Sequence, residues 1–265
     1  MKTPLSVMRQ FALRQNLLSV KALPVFGIAL FPSLMAFAFR VFKDAGLHSR
    51  FDFYGEYLAP IFLYLVLPFF CMTAILPLMH SLYDKGAIGY LVTRPTPRWV
   101  ILLGLYQGAL LAMIPALLLA VITPLLLLSI GDTSGALGGD SASTGAWFQR
   151  AIGLFGVLFM GSAAYSAVCL FLGAWSKKAA IWGFGLLIGW GATIGSVPGL
   201  LQPTSPHRYL FGLLREWCGI KEAWTGFFAP DLDPPGVVLS IVVLISATAL
   251  FLWMAWRASR SRDIL

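Results

Sequence analysis

Residues 99–130 read WVILLGLYQGALLAMIPALLLAVITPLLLLSI, thirty-two positions without one acidic or basic side chain. A helix of about 20 apolar residues already crosses about 30 Å of hydrocarbon at 1.5 Å per residue. The stretch therefore reads as a membrane span longer than a bilayer requires. It must tilt, bend at Pro115 or Pro124, or project beyond the bilayer at one end.

The rest of the chain follows the same pattern. Hydropathy picks out six spans, at about 22–42, 57–79, 99–130, 151–175, 180–201 and 237–256. Apolar residues make up 58% of the chain and charged residues 11%, against roughly 45–50% and about 25% in soluble domains. So few charges cannot cover so much apolar surface in water. The expected fold is all-α, one polytopic membrane domain over residues 1–265 with six transmembrane helices. No cleavable leader is expected, because the first apolar run starts near Ala22, after Lys2, Arg9, Arg14 and Lys21, with no small-residue cleavage site behind it. Three cysteines give no disulfide framework: Cys71 and Cys169 lie inside apolar runs and Cys218 is alone in a loop.

An even number of spans puts both termini on one side. That side collects Lys2, Arg9, Arg14 and Lys21, Lys85, Arg94 and Arg98, Lys177 and Lys178, and Arg257, Arg260 and Arg262. The opposite loops hold Arg40, Lys43, Arg50, Arg150, Arg208, Arg215 and Lys221, together with all the acids except Asp84 and Asp263. The excess of basic residues marks the first side as cytoplasmic. The net charge of +8 is then a topology signal with attraction to anionic headgroups, and no nucleic-acid partner is needed.

The spans carry essentially no ionisable residue at depth, where a charge costs about 2.5–3.5 kcal/mol and persists mainly for function. This counts against ion-coupled secondary transport. No H-E-x-x-H zinc motif, paired intramembrane carboxylates or G-x-x-x-x-G-K-[ST] phosphate loop is present. Ser162, Tyr165 and Ser166 lie in the fourth span, but His48, His80 and His207 are scattered and none belongs to another span. The sequence predicts no enzyme, no catalytic residue, no bound metal and no cofactor in this chain.

Small residues recur four apart at Gly104 and Gly108, Gly185 and Gly189, and Gly191 and Gly195. This spacing lets helix backbones approach, either within the chain or across a dimer seam. Tyr106 and Gln107 are polar groups that suit an interhelical hydrogen bond or the lining of a pathway. Residues 4–20 read as an interfacial helix, with Leu5, Met8, Phe11 and Ala12 near one side, or as an extension of the first span. The loop 202–236 suggests an amphipathic helix or hairpin at the outer surface, with Trp217 and Trp224 in an aromatic belt.

Between the second and third spans lies SLYDKGAIGYLVTRPTPRWV, residues 81–100. Gly86 suits a helix end, Ala87 to Thr93 suit about two helical turns with Ile88, Leu91 and Val92 on one side, and Pro95 and Pro97 punctuate the return. The pattern Gly86-x-Ile88-x-x-Leu91-x-x-x-Pro95-x-x-Arg98 before a long apolar helix resembles the permease subunits of type-2 ATP-binding-cassette transporters. Ala87 and Gly89 depart from the residues common in that family. About twenty residues match as a motif, and most of the chain matches as architecture. The resemblance implies a short coupling helix that docks on a separate ATPase, with Ile88, Leu91 and Val92 as apolar contacts. Asp84, Lys85, Arg94 and Arg98 would set its orientation and Gly86 and Pro95 its ends. It further implies two permease chains and two ATPase subunits holding ATP and Mg, with export more usual than import, in a prokaryotic cytoplasmic (inner) membrane. On the residues alone, a stand-alone transporter or channel, or a non-transporting scaffold, remains the alternative.

Overall fold

The structure is a computed structural model that describes residues 3–19, 22–42, 50–84, 97–129, 144–176, 178–186, 189, 204–220 and 235–261. Among these residues there is no strand. The helices are α1 (Pro4–Leu17), α2 (Leu23–Phe42), α3 (residues 50–84), α4 (Arg98–Ser129), α5 (Thr144–Trp175), α6 (Ala179–Gly183), α7 (Pro206–Cys218) and α8 (Val237–Ser261).

Five of them are long and apolar enough to cross a membrane: Leu23–Val41, Phe53–Leu82, Arg98–Ser129, Gly145–Trp175 and Val237–Arg260. The apolar window of α8 is only 11% buried and that of α2 only 22%, so their side chains face outward. Val238, Val242 and Ile245 on α8 and Leu34 and Phe37 on α2 are more than half exposed. Water is a poor solvent for such faces, whereas a bilayer covers them without penalty, and an integral membrane protein follows. The expected fifth span, 180–201, lies mostly outside the described residues.

α3 is not uniform. It passes through two π-helical stretches, Phe53–Leu58 and Phe62–Val66, each ending shortly before a proline, Pro60 or Pro68. Proline lacks the N–H that a carbonyl one turn earlier requires, and its ring crowds that carbonyl, so the turn widens. α4 keeps both Pro115 and Pro124 inside one continuous helix. Near its start it lies against α1: a Cβ at Gly104 would stand 2.7 Å from the Met8 side chain.

The core is a contiguous apolar cluster among α3, α4, α5 and α7, including Tyr54, Phe62, Phe70, Leu105, Met113, Leu154, Tyr165 and Leu213. Helix ends meet in a consistent order. Gly173 of α5 takes Met79 of α3 against its backbone, Arg98 at the start of α4 reaches Ser259 near the end of α8, and Phe171 of α5 packs on Phe251 of α8. The ends of α3, α5 and α8 and the start of α4 therefore share one end of the bundle.

The amphipathic helix expected within 202–236 is present as α7, and residues 221–234 lie outside the described residues. α7 packs antiparallel along α5, with Trp217 on Gly153 and Gly156, Leu210 on Gly161, and His207 beside Tyr165. Its buried side, His207, Leu210, Leu213, Leu214 and Cys218, is apolar enough to enter the bundle, while Arg215 and Glu216 stay exposed. Gly219, at φ 64°, then turns the chain out of the helix. In α1, the side facing the bundle runs through Met8, Ala12 and Asn16, and Phe11 is instead 40% exposed.

Candidate functional site

The predicted coupling segment is described only at its edges. Residues 85–96, with Lys85, Gly86, Ile88, Leu91, Val92, Arg94 and Pro95, lie outside the described residues; α3 ends at Asp84 and α4 begins at Arg98. The Arg98 guanidinium donates to the carbonyl of Ser259 at 2.6 Å and to that of Arg260 at 3.4 Å. These are last-turn carbonyls of α8, which have no partner within their own helix. Arg98 therefore serves a contact inside the chain, although the resemblance assigns it to a partner. The start of α4 is clasped a second time by α1. Built Cβ atoms at Gly104 and Gly108 would stand 3.0 Å from the Leu5 carbonyl and 2.5 Å from the Arg9 carbonyl. These glycines seat the N-terminal helix against α4. A Cβ built at Gly185 or Gly189 would meet no atom within 4 Å, and Gly191 and Gly195 lie outside the described residues.

Of the two polar residues early in α4, Tyr106 is buried and donates its hydroxyl to the Ala163 carbonyl of α5 at 3.0 Å. Gln107 is half-buried.

The unexpected feature lies where α7 enters the bundle. His207 is 2% exposed. The Tyr165 hydroxyl is 2.9 Å from its Nδ1, and the Tyr64 ring stacks on it at 4.7 Å and 5°. The imidazole also hydrogen-bonds the backbone of Leu63. Leu63 sits in the π-helical stretch before Pro68, where the widened turn leaves a carbonyl open to a side-chain donor. A neutral imidazole has one donor and one acceptor nitrogen, and these two partners use both. Burial pushes His207 down to about 4, against the Leu63 hydrogen bond that acts upward. Two more hydroxyls of this region, on Tyr64 and on Ser205 just before α7, are buried without a hydrogen-bond partner. Sequence reading finds no histidine facing Tyr165, because His207 belongs to no span. The signal available was the apolar face of α7, which carries His207 with it.

A histidine held below its unfolded value is occupied by a proton more readily in the unfolded chain. Its stabilising contribution is complete above about 6.5 and is lost as pH falls from there towards about 4. The melting temperature of the detergent-solubilised chain should fall across that window. His207→Gln should flatten the dependence, and an unchanged slope would refute the assignment.

At the opposite end of α7, Arg150 of α5 joins three elements. It donates to the Phe51 carbonyl at 2.7 Å and the Cys218 carbonyl at 3.2 Å, and its guanidinium lies 3.4 Å over the Phe51 ring. Cys218, expected alone in a loop, ends α7 and donates its thiol to the Arg150 carbonyl at 3.5 Å. Among the described residues, no group of three or more His, Cys, Asp or Glu converges as metal ligands would.

No protein-family model matches the chain. No curated protein matches it by sequence.

Proposed function

We propose that this chain is the membrane-spanning subunit of an ATP-driven transporter, working as a permease dimer with separate ATPase subunits in a prokaryotic inner membrane. The supporting observation is the linkage around residues 81–98. The segment leaves α3 at Asp84 and returns at Arg98, whose side chain holds the end of α8, while α1 grips α4 two turns further on. A push on the segment is thereby delivered to α3, α4, α8 and α1 together, as an ATPase-driven rocking motion requires. The tryptophans at that end, exposed Trp99, Trp175, Trp182 and Trp253, support its place at a headgroup layer, as do Arg257 and Arg260 over Trp253 and Trp256. Export is the direction the resemblance favours.

The test is to purify the chain with its candidate ATPase and compare Ile88→Asp with Leu91→Asp. Either change should weaken ATPase binding about a hundredfold, equivalent to about 2.7 kcal/mol, without changing the melting temperature. Unchanged affinity in folded variants would overturn the docking role.

A second reading draws on His207. A titratable group buried beside Tyr165 is what a proton-coupled transporter working alone uses. That reading requires transport in proteoliposomes without ATP and its loss in His207→Gln.

A further inference from the structure

A groove of about 640 Å³ runs between the first turns of α5 and the last turns of α7, within the range of about 300–1,000 Å³ common for small-molecule sites. Phe148, Ile152, Gly156 and Trp217 form its apolar wall, and Gln149 and Glu216 stand beside them. Phe148 is 66% exposed and Ile152 56%. The spanning part of α5, Gly145–Trp175, has 31 residues and is about 46 Å long at 1.5 Å per residue. That matches a bilayer including both headgroup layers, about 40–45 Å. The groove therefore opens at the level where headgroups meet acyl chains, and lipid is the medium against its apolar wall.

The polar side of the groove narrows the choice of lipid. Glu216 is exposed, and among the described residues no Lys, Arg or His lines the groove. A carboxylate and a side-chain amide together accept from a donor-rich cation, and a primary ammonium supplies three N–H groups. An anionic headgroup would meet repulsion from the Glu216 carboxylate in the groove wall, and a trimethylated ammonium has no N–H to donate. We propose that the groove holds one phospholipid with a primary-ammonium headgroup, its ammonium at Glu216 and Gln149 and its acyl chain along Ile152, Gly156 and Trp217. This assignment does not depend on an ATPase partner.

Native mass spectrometry of the full chain, released from detergent with phosphatidylethanolamine, phosphatidylcholine or phosphatidylglycerol, tests it. One phosphatidylethanolamine should be retained, about tenfold more than either other lipid. Glu216→Gln should abolish that preference, and Ile152→Trp, which fills the groove from an exposed position, should cut retention about tenfold. Val242→Trp, on the outward face of α8, should leave it unchanged. Three outcomes would overturn the proposal: wild-type retention in Ile152→Trp, equal retention of phosphatidylglycerol, or a second copy of the chain, lost in Ile152→Trp, in place of lipid.

Discussion

Replacing Gly108 by valine should detach α1 from α4. The first atom added at Gly108 would stand 2.5 Å from the Arg9 carbonyl oxygen, 2.7 Å from the Ala12 Cβ and 3.0 Å from the Arg9 Cα. Overpacking costs about 1–3 kcal/mol where side chains can yield. Here the obstacle is mainly backbone, and the only relief is for α1 to move away as a unit. Its departure would expose Ala12 and Asn16, both buried, and end the Gln15–Ser81 hydrogen bond to α3. Amide exchange over residues 5–16 should rise by at least about a hundredfold, while α5 and α7 keep their protection. Gly185→Val is the control, since a Cβ there meets nothing within 4 Å, and it should leave exchange unchanged. Equal exchange in the Gly108 and Gly185 variants would refute the close approach of α1.

The second large effect is expected from Arg150→Met. The methionine retains an apolar stem but leaves the Phe51 and Cys218 carbonyls without their donor and the Phe51 ring without its cation. Hydrogen bonds to a charged group contribute about 1.5–3 kcal/mol, and a loss of about 3 kcal/mol in total is expected, read as a lowered melting temperature in detergent. Arg150→Lys should recover little, because an ammonium cannot lie flat on Phe51 while reaching two separated carbonyls. Gly55→Ala should fall in the same direction, its new methyl lying 2.8 Å from the Arg150 Nη1. Full stability of Arg150→Lys would show that charge alone, and not the planar fork, joins these elements.

Membrane class and the positions of five of the expected spans were legible because they rest on composition summed over about twenty residues, where single exceptions do not matter. The 99–130 stretch became Arg98–Ser129 with little change. α7 was half legible. Its amphipathic pattern is visible in His207, Leu210, Leu213 and Leu214, but periodicity specifies an apolar face without saying what covers it. A membrane surface and the side of α5 are equally apolar, and Gly153, Gly156 and Gly161 decide between them by making room. The roles of Arg98 and Arg150 were hidden for a related reason. An arginine near a span end obeys the same charge rule whether it points at headgroups or at a neighbouring helix's last carbonyls. The glycines at 104 and 108 announced close packing, but their partner, α1, sits almost a hundred residues away in sequence.

The Arg98–Ser259 contact joins positions 161 residues apart, which sets an order of events during synthesis. α1, α3 and α4 emerge early and are able to associate while the rest of the chain is still being made. Until α8 follows, however, the first turn of α4 has no carbonyls to hold. The clasp at that end therefore closes last, after every other described helix has left the ribosome. A chain stalled before residue 259 would carry its earlier spans and an unlatched base.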